Sequence, residues 1–207
     1  MTTIATTPDS FSEKRVYDNK LQLDPKRTAV LVVDMLNEFL EPGGKMVLAG
    51  GEVLYAPIQR LLDTARSVQA SVFWLNQTLR LSDSLFKKRI VHCIAGTWGA
   101  QIVDALTQAP DDISVPKRRY SGFFQTDLDL HLRERAIETV IVTGVVTNIC
   151  VRSTIHDAFF LGYEVIVPVK CVAATSPAQQ ESSLYDVETH YGAVTNLDKI
   201  LPLLKGG

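Results

Sequence analysis

The sequence predicts an α/β fold of three layers, in which a six-stranded parallel β-sheet carries helices on both faces. Continuous apolar runs typical of buried strands alternate along the chain with amphipathic patterns typical of helices. The chain has 207 residues, of which 46% are hydrophobic and 21% are charged, as is usual for one globular domain. Strict alternation of strands and helices implies right-handed crossovers and a single sheet between two helical layers.

The predicted elements follow one another with short connections. The first strand is expected over residues 28–34 (TAVLVVD), because a continuous β-branched run suits a strand that is buried on both faces. A helix is expected over residues 56–69, with apolar residues at helical spacing and Pro57 in the first turn, where its missing N–H costs little. The alternation then continues with strands over 71–76, 112–117, 139–144, 163–169 and, more weakly, 192–196, and with helices over 98–109, 126–136, 149–161 and 177–191.

The charge and the apolar pattern exclude several classes of partner. The chain has 21 Lys and Arg against 23 Asp and Glu, whereas a protein that binds the nucleic acid backbone needs a clustered basic surface. No apolar run approaches the roughly 20 residues that cross a bilayer. The start, MTTIATTPDSFSEKR, has no apolar stretch of signal-peptide length. We therefore expect a cytoplasmic protein with neither a nucleic acid nor a membrane as its partner.

The domain organisation is expected to be simple. Residues 1–26 are predicted to be a polar lead-in, and residues 27–207 a single domain. The three cysteines, Cys93, Cys150 and Cys171, do not form a disulfide framework, which fits a reducing cytoplasm.

One segment, residues 77–97, has neither a helix pattern nor a strand pattern, and a loop of that length in a compact domain is usually functional. It contains a run of basic residues, which either attracts a carboxylate-bearing substrate or forms a solvated basic face. The sequence leaves both interpretations open for Arg80, Lys87, Lys88 and Arg89.

The ends of the predicted strands are the places to look for a site, because ligands of parallel α/β sheets bind beyond the carboxyl ends of the strands. Asp34, Asn76 and Lys117 each end an apolar strand run, and the turn GVVTNIC leads from the fourth strand to Cys150. We expect these residues to converge at one edge of the sheet.

Cys150 is the candidate nucleophile. A helix that begins at about Ile149 places the thiol in its first turn, where unpaired N–H groups and the helix dipole favour an anion. We therefore expect a lowered pKa and a reactive thiolate, although a lone cysteine is equally often a small buried hydrophobe. Lys117 would stabilise the developing negative charge, the alternative being an ordinary solvated lysine. Asp34 would act as a base or proton shuttle, or as a cap. Together they indicate a nucleophilic hydrolase.

No metal or cofactor is expected. The four histidines (His92, His131, His156 and His190) form no pair with metal-ligand spacing. The first strand is followed by MLNEFLEPGG rather than by a glycine-rich phosphate loop, so nicotinamide or flavin binding has little support.

Three motifs, VVDMLNEFLEPGG, VPKRRYSGF and TGVVTNICVRSTIHDAFFLGYEV, resemble the isochorismatase-like cysteine hydrolase superfamily, over residues 28 to about 201. The resemblance implies the Rossmann-like three-layer fold given above and a catalytic triad of Asp34, Lys117 and Cys150. It further implies a cis peptide bond between Val145 and Val146, and an oxyanion hole formed by the backbone N–H groups of Val146 and Cys150.

Within that superfamily the stretches PKRRYSGFFQTDLD and GVVTNICVRSTIHDAFFLGY are most similar to ureidoacrylate amidohydrolases and related N-carbamoyl amide hydrolases. On that comparison Asn76 and Tyr120 match substrate-contacting positions; the alternatives are a strand-end cap and a half-buried aromatic side chain. The segment over residues 77–97 departs from the ureidoacrylate enzymes in length and residues. It also lacks the DxH motif of metal-dependent nicotinamidases, so nicotinamide hydrolysis of that type is not expected.

The resulting hypothesis is a cysteine amidohydrolase that cleaves a C–N bond of a small amide or ureido compound through a thioester on Cys150, releasing ammonia or an amine. One alternative is a vinyl-ether hydrolase of the isochorismatase type, and the other is a non-catalytic binding module on the same fold. The resemblance also implies a homo-oligomer.

Overall fold

A parallel β-sheet forms the centre of the computed structural model, which describes residues 21–206. The strands are β1 (Thr28–Val33), β2 (Ser71–Gln77), β3 (Ile113–Lys117), β4 (Thr139–Val145), β5 (Glu164–Pro168), β6 (Val172–Ala173) and β7 (Ala193–Thr195). Their order in the sheet is β3-β2-β1-β4-β5-β7, every pairing is parallel, and the two-residue β6 pairs with the end of β4. The predicted α/β fold is confirmed, with β6 as a short addition to the six strands.

Helices cover both faces of this sheet. The helices are α1 (Asn37–Leu40), α2 (Tyr55–Ser67), α3 (Leu128–Glu134), α4 (Arg152–Phe160), α5 (Pro177–Asp186) and α6 (Leu197–Leu204), with π-helical turns at Thr147–Val151 and Val187–Tyr191. Side chains of α2 and α6 pack on one face, and side chains of α3 and α4 pack on the other. None of the helices within residues 21–206 is long and apolar enough to cross a membrane.

The central strand β1 explains why the sheet is buried on both sides. All six of its residues are buried. Val30 and Val32 belong to the core beneath α2 and α6, whereas Leu31 and Val33 belong to the core beneath α3 and α4. Burying each such side chain contributes about 1.5–3 kcal/mol. The uninterrupted apolar run in the sequence is therefore explained by helices that cover both faces of this strand.

The helix predicted over residues 98–109 is wrong. Only a 3-10 turn, Trp98–Ala100, forms there. Asn37 donates through Nδ2 to the carbonyl of Trp98 (3.1 Å) and through its backbone N–H to that of Gln101 (3.0 Å), so contacts with α1 take up acceptors that a helix would use. Gly99 packs directly on Glu38: a β-carbon at that position would lie 2.4 Å from the carboxylate. Helices α1 and α6 and strand β6 were not predicted.

The polar lead-in predicted over residues 1–26 lies outside the described residues up to residue 20. The remainder is attached to the core, because Leu21 and Leu23 pack on the side covered by α2 and α6. A 3-10 turn, Pro25–Arg27, then leads into β1 and is capped by the Asp24 side chain.

Gly144, near the end of β4, allows the chain to turn toward the site. Its φ is +101°, and an added β-carbon would lie 2.0 Å from the Val33 carbonyl oxygen of β1. Both the backbone conformation and the close approach of two strands therefore require glycine.

We expect Gly144→Ala to lower the free energy of unfolding much more than Gly50→Ala does. Gly50 also has a positive φ (+77°), but nothing lies within 4 Å of an added β-carbon there. Gly50→Ala should therefore cost about 1–2 kcal/mol of conformational strain alone, whereas Gly144→Ala adds a clash with backbone. Urea denaturation of both variants measures the difference, and equal losses would contradict the packing argument.

Candidate active site

Four adjacent strands end at the same edge of the sheet and bring the predicted polar residues together. Asp34 directly follows β1, Lys117 ends β3, and β4 leads into the π-helical turn that contains Cys150. Lys117 pairs in register with Gln77 at the end of β2, which lies between β1 and β3. Asp34, Lys117 and Cys150 thus converge, as expected from the strand ends.

Asp34 and Lys117 form a buried ion pair. Lys117 Nζ lies 2.7 Å from Asp34 Oδ2, and the two side chains are 0% and 1% exposed. The other carboxylate oxygen, Oδ1, accepts the backbone N–H of Gln77 at 2.7 Å, and Nζ also donates to the Arg119 carbonyl at 3.3 Å. Burial acts to lower the pKa of Lys117, but Asp34 and Cys150 outweigh it and raise that pKa above its ordinary value. Lys117 is therefore an ammonium.

Cys150 lies against this pair. The charges of the Lys117 ammonium and the Asp34 carboxylate both act on its thiol, and the residue is 7% exposed. The Val146 carbonyl accepts the N–H groups of Ile149 (3.0 Å) and Val151 (3.3 Å). Cys150 lies between these two donors, inside the π-helical turn Thr147–Val151. The peptide bond between Val145 and Val146 is cis, as the resemblance implies.

Burial raises the pKa of the Cys150 thiol. Lys117 acts to lower it, and Asp34 acts to raise it further through its charge and its hydrogen bond. The expectation of a lowered pKa is thus wrong for the protein without substrate. That expectation rested on the helix start and on Lys117, which both favour the thiolate. It left out the low-dielectric surroundings and the Asp34 carboxylate, which both favour the neutral thiol. The surroundings of the thiol therefore favour its protonated form.

A cavity of about 420 Å³ opens above these residues. Asp34 and Cys150 lie on its wall, together with the polar side chains of Gln77, Arg89 and Tyr120. Much of the remaining wall is apolar and is contributed by Phe39, Met46, Val47, Leu48 and Ile149. The volume and the mixture of apolar and polar walls are typical of a small-molecule site.

The two predicted substrate-contacting residues are placed differently. Tyr120 lines the cavity, and its hydroxyl lies 3.4 Å from Arg89 Nε, the donor of a hydrogen bond to it. Among the described residues the cavity wall includes Gln77 and not Asn76. Side chains alternate along β2, with Trp74 in the core beneath α2 and α6 and Leu75 in the opposite core. Asn76 therefore points away from Lys117, and its contact with substrate stays a prediction.

Glu38 organises the cavity walls and was not singled out from the sequence. Its buried carboxylate accepts the backbone N–H of Lys45 (2.7 Å) and that of Cys93 (3.0 Å). One of these segments leads to Met46 and Leu48 on the wall, and the other contains His92, whose Nδ1 is 2.7 Å from the Ile90 carbonyl. In the sequence, the only feature that could have indicated this wall-holding role is the presence of an acidic residue, Glu38, directly before Phe39 in the first motif.

Of the basic run in residues 77–97, Arg89 lines the cavity. Its guanidinium forms no ion pair within residues 21–206. In the same part of the chain, no group of three or more His, Cys, Asp or Glu side chains is arranged to hold a metal ion.

Comparison with known proteins identifies relatives across nearly the whole chain. The isochorismatase domain family matches residues 28–199. The chain is similar to the structure of a cysteine hydrolase from Pseudomonas syringae pv. phaseolicola 1448A, with 33% identity, a TM-score of 0.86, and coverage of 90% of this chain and 96% of that one. An isochorismatase-like hydrolase from Alkaliphilus metalliredigens is 35% identical, with a TM-score of 0.81 and coverage of 85% and 98%. N-carbamoylsarcosine amidase from Thermoplasma acidophilum is 29% identical, with a TM-score of 0.76 and coverage of 83% and 97%.

We expect Asp34→Asn to speed the alkylation of Cys150 by iodoacetamide, and Lys117→Met to slow it. The Asp34 carboxylate raises the pKa of the thiol and Lys117 lowers it, so their removal shifts the thiolate fraction in opposite directions. At pH 8 each change should alter the rate by about tenfold. Mass spectrometry of peptides after timed quenching measures the rate.

Cys171 serves as the internal control in the same digests. Burial raises its pKa to about 12, and the charged group that acts on it is Arg60 rather than Asp34. Its labelling should therefore be unchanged in both variants. Slower labelling of Cys150 in folded Asp34→Asn protein would contradict the electrostatic argument.

Proposed function

The chain belongs to the isochorismatase domain family, and from this premise we propose that it is a cysteine amidohydrolase acting on a small amide or ureido compound. The observation that carries the proposal is a buried thiol on the wall of a cavity of about 420 Å³, under the influence of a buried carboxylate and ammonium that pair with each other. A nucleophile, a base and a cation at one point are the parts that acyl transfer needs.

In the first half of the proposed reaction, Asp34 accepts the proton of the Cys150 thiol as the sulfur attacks the substrate carbonyl carbon. Lys117 stabilises the negative charge on sulfur, which explains why a thiol with a raised pKa still reacts. A carbon–sulfur bond forms, and the carbonyl π electrons move onto oxygen. The N–H groups of Cys150 and Val146 are the proposed donors to this oxyanion, since both residues line the cavity.

The second half releases both products. The carbon–nitrogen bond breaks, and the proton held by Asp34 passes to the leaving nitrogen, which departs as ammonia or an amine. A water molecule then gives a proton to Asp34 and attacks the thioester carbon. The carbon–sulfur bond breaks, the proton returns to sulfur, and one water has been consumed for one amide cleaved.

We assign the substrate to amides that carry a carboxylate, such as N-carbamoyl or ureido acids. Arg89 lines the cavity beside the Tyr120 hydroxyl and has no carboxylate partner within the described residues. A guanidinium next to a hydroxyl suits a planar carboxylate. The similarity to an N-carbamoylsarcosine amidase supports this class. The apolar wall formed by Phe39, Leu48 and Ile149 suits a short hydrocarbon part.

An ammonia-release screen tests the proposed reaction. The panel contains ureidoacrylate, N-carbamoylglycine, succinamate, nicotinamide and, for the vinyl-ether alternative, isochorismate with pyruvate detection. We expect ammonia from at least one carboxylate-bearing amide, an acyl adduct on Cys150 after acid quenching, and neither in Cys150→Ala. Pyruvate release that survives Cys150→Ala would favour the vinyl-ether reaction, and binding without turnover of any compound would favour a non-catalytic module.

We expect Arg89→Gln to raise KM for a carboxylate-bearing amide by about 10- to 100-fold, because a charge-assisted hydrogen bond contributes about 1.5–3 kcal/mol. KM for a neutral amide of similar size should change little. Arg135→Gln is the matched control, since it removes the same charge shortly before β4 begins, at the opposite edge of the sheet. Equal effects of the two variants would show that net charge, not a contact, is responsible.

A further inference from the structure

We infer that Gln77, a residue absent from the predicted site, binds the amide or ureido group of the substrate through its side-chain carboxamide. The inference rests on the proposed function and names one of its specificity-determining contacts. Three independent properties of Gln77 support it: its place in the sheet, its unsatisfied polar group, and the chemistry of its side chain.

The backbone of Gln77 is held between the two charged residues of the site. Its N–H donates to Asp34 Oδ1 at 2.7 Å, and it pairs in register with Lys117 across β2 and β3. Residues in register on neighbouring parallel strands present their side chains on the same face. The Gln77 side chain therefore points to the face that Lys117 occupies, and it lines the cavity together with Asp34 and Cys150.

The side chain is buried and incompletely satisfied. Gln77 is 1% exposed, and its Nε2 has no hydrogen-bond partner within the described part of the chain. Leaving a buried donor unpaired costs about 1–3 kcal/mol. A buried polar group that the chain itself does not satisfy, on the wall of a cavity, indicates that a bound molecule completes it.

The chemistry of the carboxamide selects the kind of molecule. It offers one donor end and one acceptor end of nearly equal size, so a half-turn of the terminal torsion presents either end to the cavity. A substrate amide or urea carries the complementary carbonyl oxygen and N–H in one plane. An ester offers the carbonyl but no N–H. Gln77 should therefore favour amides over esters of the same acid, since a site built to hydrogen-bond an N–H discriminates against an analogue without it.

The test compares the amide of the panel with the fastest turnover and the methyl ester of the same acid. We expect Gln77→Met, which keeps the side-chain length, to lower kcat/KM for the amide by about 10- to 100-fold. It should change kcat/KM for the ester by less than about threefold. Gln77→Glu, which keeps the acceptors but loses the donors, should also lower the amide-to-ester ratio. Circular dichroism confirms that each variant is folded.

Gln180→Met is the matched control. Gln180 also has an unpaired buried atom, Oε1, but it lies on α5 and outside the described cavity wall. Its substitution should leave the amide-to-ester ratio unchanged. If Gln77→Met loses amide and ester activity equally, Gln77 serves only to position Asp34, and the inference is overturned. Unchanged amide activity in this variant would overturn it as well. A wild-type protein that cleaves no amide would overturn the proposed function, and this inference with it.

Discussion

The buried ion pair between Asp34 and Lys117 is the constraint on which the rest of the site depends. Two buried charges lie 2.7 Å apart, and each needs the other to offset its loss of hydration. The pair also joins the ends of β1 and β3 across the end of β2. There the Gln77 N–H donates a hydrogen bond to the other oxygen of the Asp34 carboxylate. Removing either partner would leave an uncompensated buried charge, typically at a cost of about 3–5 kcal/mol. The same contact therefore stabilises the sheet edge and sets the charges that act on the Cys150 thiol.

This electrostatic arrangement favours a neutral thiol over a permanently ionised one. Burial and the Asp34 carboxylate both raise the pKa of Cys150, and the Lys117 ammonium opposes them. When the proton moves from sulfur to Asp34 in the proposed reaction, the carboxylate becomes neutral and the sulfur becomes the anion. Lys117 therefore has an anionic partner both before and after the transfer. In the proposed reaction the charge on sulfur would therefore arise only when an acceptor carbon is within reach, as for a nucleophile that is activated by its base.

The cavity above the thiol is shaped by segments without regular secondary structure. Their positions follow from Glu38, whose carboxylate accepts N–H groups from two chain segments that are distant in sequence. A carboxylate with two acceptor oxygens can hold two such segments at once. The core of the sheet therefore positions the edge where Asp34, Lys117 and Cys150 meet, whereas Glu38 holds two of the segments that form the cavity wall.

The sequence by itself determined the parallel sheet and the convergence of Asp34, Lys117 and Cys150. The polar residue that follows an apolar run shows where a strand ends, and the carboxyl ends of adjacent parallel strands lie at one edge of the sheet. The tertiary structure decided what depends on orientation and surroundings. Side-chain alternation along β2 places Gln77, not Asn76, on the cavity face, and contacts with Asn37 and Glu38 prevent a helix after Trp98. The direction of the Cys150 pKa shift also required the folded chain, because burial and a facing carboxylate outweigh the lysine only once all three groups are packed together.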